Sequence, residues 1–373
     1  SFVYRGTGSV ARGILNWAIR NDYSVDVISD QPYRPNDMFK PYIGRFKWIY
    51  GSDWNIDEIH RDLNTYNRVI NTEMVTRIRN SLVKAIEQYS YGAIITNTAE
   101  SLMAATSIGL HTTETVCHIT HNETEAGLTG ANLSRQQFAG GIGAIWQSQC
   151  ALDGVRLLVQ SDWLKQHTLN FYKHKANDIE TYPLLLTDGG DAIKPLQRYG
   201  IGTIGPVEPR KANDVFIDFC KQMGKTARML APTKISADKF IKKCNTAGVP
   251  REVKYGLQGY QKRQWIASLA LAYHPSHCES FGLGALETAE FTPTILRKDR
   301  DWSQAHEKYC FVLDDTDLVD VGQQLYGQAV SNTHKEAWQA RNNQAELQWH
   351  NVARKNSNPI NQTWKQMLDQ DGL

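Results

Sequence analysis

The sequence has few cysteines, no long apolar run and no excess of one charge sign. Its six cysteines stand at wide, irregular intervals without a CxxC pair, which argues against a disulfide framework and a zinc ribbon. No stretch approaches the roughly 18 apolar residues of a membrane-spanning helix, and the amino terminus lacks the regions of a signal peptide. A net charge of +2 permits a polyanionic partner without requiring one. We therefore expect a cytoplasmic protein with reduced thiols and no membrane insertion.

What the sequence does contain is an alternation of strand-like and helix-like segments. Its 373 residues, 41% of them apolar, exceed one ordinary core and predict two domains. The order of apolar runs is typical of an α/β protein with parallel sheets. The predicted domains are residues 1–185, 196–345 and a final helical segment 346–373, with a hinge at 178–200 rich in glycine and proline.

The predicted elements follow from the spacing of apolar residues. In the first half we predict strands at 2–4, 25–29, 93–97, 115–120, 145–147 and 156–160, and helices at 10–20, 72–88 and 99–107. In the second half we predict strands at 200–205, 227–231, 252–256, 269–273, 293–296 and 311–313, and helices at 215–223, 237–246, 261–268 and 318–329. The tail from residue 334 is helical in pattern as far as 356–359.

The most informative segment is HCESFGLGALETAEFTPTIL at 277–296. Glu279 precedes a glycine-punctuated turn, and a helix predicted from about Phe281 places Glu287 two turns later. Free amide groups at the start of that helix would lie between the two acids. The flanking strands make a β-loop-α-β unit, whose loop opens at the carboxyl edge of a parallel sheet, where ligands of such folds bind.

This segment resembles the signature of retaining GT-B glycosyltransferases of the glycogen and sucrose synthase kind. The resemblance implies two Rossmann-like, doubly wound domains facing a cleft, with the last helix crossing back to the first domain. It also implies that Glu279 lies beside the sugar of a nucleotide-sugar donor. The amides of Phe281, Gly282 and Leu283 would hold the sugar and diphosphate, and Glu287 would accept hydrogen bonds from the ribose hydroxyls.

Three further positions of the family pattern can be compared with this sequence, and they match it less completely. His121, followed by Asn122 at a predicted strand end, resembles a histidine that lies near the donor sugar. Lys211 fits the family's lysine position, whereas Pro206 stands where the family has arginine, so we expect Arg210 to supply the second cation. The resemblance implies that no cofactor is required. We take a UDP-sugar as the donor, although no residue in the sequence identifies the nucleotide.

No metal site is predicted. The grouping of Cys117, His118 and His121 lacks a fourth ligand and a CxxC partner. The DxD triplet formed by Asp299 and Asp301 follows a predicted strand in a loop and is interpreted as a turn.

A rival hypothesis comes from the first predicted turn. Gly6, Gly8 and Ala11 in GTGSVA match the GxGxxA form of a dinucleotide-binding fingerprint, and Asp30 lies in range of a second strand end. An NAD-dependent Rossmann oxidoreductase would use this turn for pyrophosphate. A GT-B enzyme would use Gly6 and Gly8 to let the backbone approach the donor and the acceptor. The oxidoreductase hypothesis leaves the ESFGLGALE segment without a use.

A segment at 33–48 that is rich in basic and aromatic residues suggests the acceptor of the sugar. Prolines and glycine there break helix and strand, so we predict a functional loop. Cations and rings together suit a polyanion or exposed bases, and the overall layout resembles the DNA α-glucosyltransferases of T-even-like phages, which modify hydroxymethylated pyrimidines. Duplex DNA in a host cytoplasm is the first hypothesis; a cytosolic or cell-envelope glycan, and a non-catalytic nucleotide- or sugar-binding protein, are the alternatives. The predicted acceptor-binding residues are Arg34, Lys40, Arg45, Lys47 and Trp48.

Overall fold

The computed structural model describes residues 6–28, 47–49, 72–89, 91–110, 116–119, 155–166, 179–185, 193, 197–277, 279 and 281–354. Internal contacts divide the chain into two units. The amino-terminal unit comprises Leu15–Pro183 and Ala345–Leu373, and the carboxy-terminal unit comprises Ser1–Ile14 and Leu184–Gln344. The first and last described helices each contain a boundary between the units.

The amino-terminal unit contains two parallel sheets. Strands β1 and β2 pair with each other, and β3, β4, β5 and β6 form a second sheet in that order. Helices α2 and α3 bury Leu82, Ile86 and Leu102 in one core with strand residues such as Leu157. The strands are β1 (Asp26–Ile28), β2 (Lys47–Ile49), β3 (Ile94–Thr96), β4 (Val116–Ile119), β5 (Arg156–Val159) and β6 (Ile179–Thr181), and the helices are α1 (Gly6–Arg20), α2 (Thr72–Gln88) and α3 (Ala99–Thr106).

Most predicted elements of this half are confirmed. Helix α2 has the predicted bounds, and α3 begins where the Thr98 side chain accepts from the Ser101 amide, in a capping box. The predicted strands at 25–29, 93–97, 115–120 and 156–160 are all present, shorter by one or two residues. The predicted strands at 2–4 and 145–147 lie outside the described residues.

Two predictions for this half were wrong, and one strand was not predicted. Helix α1 begins at Gly6, four residues before the predicted start, so Gly6 and Gly8 lie in its first turn and not in a loop before it. Lys47 and Trp48 belong to strand β2, which pairs with β1, and not to a loop. Strand β6 lies inside the predicted hinge, where its pairing with β5 is reinforced by an Arg156–Glu180 ion pair at 2.7 Å. Short strands of this kind depend on their partner strands more than on local sequence.

The carboxy-terminal unit is built on a six-stranded, all-parallel sheet in the order β12-β11-β10-β7-β8-β9. Its strands are β7 (Tyr199–Ile204), β8 (Ala227–Ala231), β9 (Arg251–Tyr255), β10 (Leu269–His274), β11 (Thr294–Arg297) and β12 (Phe311–Leu313). Its helices are α4 (Asn213–Gln222), α5 (Lys234–Ala247), α6 (Gly259–Ala267), α7 (Leu283–Ala289) and α8 (Leu318–Leu325), and α9 (Asn332–Arg354) ends in the other unit.

The strand order places a topological switch point between β7 and β10. From β7 the chain continues outward through β8 and β9, and from β10 it continues in the other direction through β11 and β12. Loops that follow the two central strands therefore diverge and leave a crevice at their carboxyl ends, which is where doubly wound sheets bind ligands. Every residue of β10 is buried, as expected for a central strand covered on both faces.

The helix and strand predictions for this unit are confirmed with small shifts of their bounds. The predicted helix after Glu279 begins at Leu283 and not near Phe281, because Gly282 has a φ of 71°. That left-handed conformation cannot belong to a right-handed helix and is accessible to glycine at little cost. Helix α8 ends at Leu325, four residues before the predicted end, close to Gly327 with its φ of 80°.

None of the described helices combines the length and the apolar character needed to cross a lipid bilayer. The four described cysteines, Cys117, Cys220, Cys244 and Cys310, are buried and are not joined in disulfides. Within the part of the chain that the structure describes, no group of three or more potential metal ligands comes together.

Candidate functional site

An acidic residue and two cations meet at the switch point of the carboxy-terminal sheet. Glu279, which follows β10, is only 7% exposed. The Lys211 Nζ donates a hydrogen bond to the Glu279 Oε1, and the Arg210 Nη1 lies 3.3 Å from the Oε2. Both cations belong to the segment that follows β7, so the two central strands of the sheet bring them to the acid. Glu208, whose Oε2 lies 3.0 Å from the Arg210 Nε, completes what we call the Glu279 cluster.

Backbone contacts fix the two loops to each other. The amide of His277 donates to the carbonyl oxygen of Arg210 at 2.7 Å. Arg210 and Lys211 lie in a short 3-10 helix that ends at Ala212, whose φ of 47° is left-handed. A left-handed non-glycine residue costs free energy and is maintained only where its surroundings impose it. The cations are thus held by backbone geometry as well as by their ion pairs.

The charges around Glu279 control its protonation. Burial acts to raise the pKa of this carboxyl, but the charges of Lys211 and Arg210, with hydrogen bonds from Lys211 and Ser276, outweigh burial and lower the pKa to about 2. Glu279 is therefore ionised throughout the neutral range. An acid of such low pKa is a poor proton acceptor at neutral pH, so its chemistry must be electrostatic or orienting.

Two buried histidines beside the cluster stay neutral. Burial, followed by the charge of Lys211, lowers the pKa of His274 to about 3, and its Nε2 lies 3.0 Å from the Thr288 hydroxyl. Burial also lowers the pKa of His306 to about 4, against a hydrogen bond with the Phe281 carbonyl that raises it. The fixed positive charge near Glu279 therefore comes from Lys211 and Arg210.

Acid should remove the stabilising contribution of Glu279. Its folded-state pKa of about 2 lies below the ordinary value of 4.5, so the contribution is complete above pH 4.5 and is lost as the pH falls toward 2. The shift corresponds to about 3 kcal/mol of unfolding free energy. Urea unfolding of the wild type and of Glu279→Gln between pH 7 and pH 3 should show a difference that narrows below pH 4.5. A difference independent of pH would contradict this assignment.

The second acid of the sequence motif is also paired. Glu287 lies on α7, and its Oε1 accepts from the Lys262 Nζ of α6 at 2.6 Å. Their side chains are 17% and 20% exposed, so the pair is partly accessible to a ligand. The sequence analysis missed Lys262. A hint was available, since QKR near the start of a helix places cations where the helix dipole favours acids.

The turn between the two acids is tightly packed. Phe281 is 7% exposed, Gly282 follows in its left-handed conformation, and Leu283 is the first residue of α7. A Cβ on Gly282 would lie 2.5 Å from the Trp302 ring, and one on Gly284 would lie 3.3 Å from the carbonyl oxygen of Ile204. Glycine at these two positions therefore allows the turn to approach an aromatic side chain and the end of β7.

The remaining predicted site residues fall in three places. Gly6 and Gly8 belong to the same unit, in the first turn of α1, and do not figure among the described contacts of Glu279. Lys47 and Trp48 lie in β2 of the other unit. His121, Arg34, Lys40 and Arg45 lie outside the described residues.

The whole chain is similar in structure to several solved proteins. Sucrose-phosphate synthase from Thermosynechococcus elongatus matches with a TM-score of 0.64 and 14% identity, over 99% of this chain and 96% of that one. Anabaena HepE, in complex with UDP-glucose, matches with a TM-score of 0.58 and 13% identity, over 92% of this chain and 99% of that one. The likeness confirms the predicted GT-B fold.

A Staphylococcus aureus TarM mutant, in complex with fondaparinux, α-GlcNAc-glycerol and UDP, matches with a TM-score of 0.52 and 14% identity. That match covers 74% of this chain, which spans 59% of the TarM chain. No sequence-family profile and no curated protein sequence matches the chain.

Proposed function

We propose that this chain is a glycosyltransferase that moves a sugar from a UDP-sugar to an acceptor hydroxyl with retention of anomeric configuration. One observation carries the proposal: a buried, ionised Glu279 is held between Lys211 and Arg210 at the switch point of the sheet. The GT-B fold and its likeness to HepE with UDP-glucose and TarM with UDP support the choice of donor.

The two cations suit the leaving group of such a reaction. Departure of UDP leaves negative charge on the diphosphate, which must be met by a metal or by fixed cations. Lys211 and Arg210 supply two fixed cations, which are paired with Glu279 and Glu208 in this structure. A bound diphosphate would replace part of this ion pairing with Lys211 and Arg210. Glu279 would then orient the donor sugar and stabilise positive charge at its anomeric carbon.

The low pKa of Glu279 supports the retaining course that we propose. A carboxylate held by two cations is a weak nucleophile, and one with a pKa of about 2 cannot take the acceptor proton at neutral pH. In a donor complex the departing phosphate oxygen would lie beside the attacking hydroxyl and gains basicity as the sugar leaves. We therefore assign the proton to that oxygen, with attack and departure on the same face of the sugar.

Replacing Glu287 by glutamine should weaken donor binding. In the proposed complex the carboxylate accepts hydrogen bonds from the ribose hydroxyls, and bonds to a charged group contribute more than neutral ones. We expect the KM for the donor to rise about tenfold with little change in kcat, since such contacts are equal in ground state and transition state. The matched control is Glu290→Gln, which removes the nearby ion pair with Arg263. An unchanged donor KM in Glu287→Gln would contradict the assignment.

For the acceptor we propose a hydroxymethylated pyrimidine in duplex DNA, on the basic and aromatic composition of residues 33–48. Cations there would meet phosphates, and rings would stack on an exposed base. The mild net charge of +2 counts against this choice. A cytosolic or cell-envelope glycan is the alternative acceptor.

Nucleotide release from UDP-, GDP- and ADP-glucose, with and without a hydroxymethylcytosine duplex, tests the proposal. Release of UDP stimulated by the duplex, and weakened by salt, supports a DNA acceptor. Stimulation by oligosaccharides alone transfers the proposal to a glycan acceptor. Tight UDP binding without any release indicates a binding protein, and reduction of NAD without UDP binding indicates the oxidoreductase.

A further inference from the structure

We propose that Trp302 and His306 are positioning residues that hold Glu279 in its working orientation. They act through the acidic loop, by which we mean the described residues Ser276, His277, Glu279, Phe281 and Gly282. This inference rests on the proposed function, because it assigns the two aromatic residues to the alignment of the same carboxylate. The pair lies on the 3-10 helix Asp301–His306, which follows β11.

Trp302 holds the first end of the loop. Its Nε1 donates to the carbonyl oxygen of Ser276 at 3.0 Å, and the indole is 2% exposed. The Ser276 side chain in turn hydrogen-bonds to Glu279. Trp302 is thus one residue removed from the carboxylate, through a buried serine whose backbone it fixes.

His306 holds the second end of the loop. Its Nε2 donates to the carbonyl oxygen of Phe281, and its ring packs edge-on against the Phe281 ring, with centroids 5.0 Å apart. The rings of Trp302 and His306 also contact each other, with centroids 5.9 Å apart. A single short helix therefore fixes the backbone on both sides of Glu279.

The fit leaves the loop little freedom. The absent Cβ of Gly282 would lie 2.5 Å from Trp302 and 3.3 Å from the His306 Nε2. The contacts of Trp302 and His306 with the acidic loop also cost stability, because the His306 Nδ1 is buried without a hydrogen-bond partner among the described residues. An unpaired buried acceptor destabilises a fold. A side chain that served packing alone would not need a ring nitrogen, whereas the Nε2 hydrogen of His306 makes the bond to Phe281.

Four variants separate positioning from packing. Trp302→Phe keeps an aromatic ring and removes the bond to Ser276, and Trp265→Phe is its control, since the buried Trp265 Nε1 has no partner among the described residues. His306→Leu removes the donor to Phe281, and His306→Gln retains one. We expect Trp302→Phe and His306→Leu to lower kcat about tenfold or more while donor KM changes less than about threefold. His306→Gln should recover most of the lost kcat, and Trp265→Phe should keep wild-type kcat.

Hydrogen exchange on the donor-free protein supplies a readout that needs no activity. Amides of the acidic loop should exchange faster in Trp302→Phe and His306→Leu, but not in His306→Gln or Trp265→Phe. If the wild type transfers no sugar while the exchange pattern is as expected, the proposed function is wrong, but Trp302 and His306 still hold the acidic loop. Equal exchange in all four variants, or equal loss of kcat in His306→Gln and His306→Leu, would contradict the positioning role of Trp302 and His306.

Discussion

Replacing Lys211 by alanine is expected to lower turnover about 10²- to 10³-fold, the cost of removing one preorganised group that stabilises charge in the transition state. The loss should fall on kcat more than on donor KM, because the diphosphate gains charge as the sugar departs. The Lys211 side chain is 15% exposed, and in such a partly dry site a fixed cation interacts more strongly than in water. Steady-state kinetics of UDP release with varied donor concentration measure the effect.

Two further variants control this experiment. Lys211→Arg keeps the charge with a different geometry and should retain more activity than alanine. Lys243→Ala removes an exposed lysine of the same unit, paired with Asp214, and should leave turnover unchanged. Wild-type turnover in Lys211→Ala would remove this residue from the mechanism.

Glu279→Gln is expected to separate binding from turnover. The change preserves side-chain shape and leaves Lys211 and Arg210 without their shared acid, so the cluster gains one positive charge. We expect UDP to bind more tightly, because a bound anion no longer competes with the carboxylate. Turnover should fall about 10²-fold, since the charge that faces the anomeric carbon is lost. Calorimetry with UDP and kinetics with a UDP-sugar measure the two effects.

Tighter UDP binding together with lower turnover distinguishes a catalytic carboxylate from a structural one. A merely structural carboxylate would give weaker UDP binding and lower activity together, through damage to the site. Because Glu279→Gln is expected to be less stable than the wild type, thermal unfolding at pH 7 is used to choose a temperature at which the variant is fully folded for both measurements. Unchanged turnover with intact UDP binding would show that Glu279 takes no part in the reaction.

The sequence allowed the carboxy-terminal unit to be predicted in detail. Strand β10 is apolar from Leu269 to Tyr273 because it is buried on both faces, and the bounds of β8 and β12 agree with prediction. Strands that helices cover on both faces appear in the sequence as short continuous apolar runs, and this unit contains such strands. In the amino-terminal unit, β2 and β6 have only three residues each and depend on partners distant in sequence.

The candidate site was predictable only where a local motif describes it. Glu279 and Glu287 belong to one continuous segment. Lys211 was placed by the resemblance, and Arg210 was expected to replace the cation that Pro206 lacks; the structure brings both cations to Glu279. Trp302 and His306 were not predicted, because their contacts with the acidic loop join residues 25 or 26 positions apart. Lys262 escaped notice for the same reason, since its partner Glu287 lies 25 residues away.

A crystal structure of the chain with a bound UDP-sugar tests the central claim most directly. The account predicts a diphosphate within hydrogen-bond distance of Lys211 and Arg210, the ribose at Glu287 and the sugar beside Glu279. A donor bound away from the carboxyl ends of β7 and β10, with Lys211 and Arg210 still engaged only by Glu279, would contradict it.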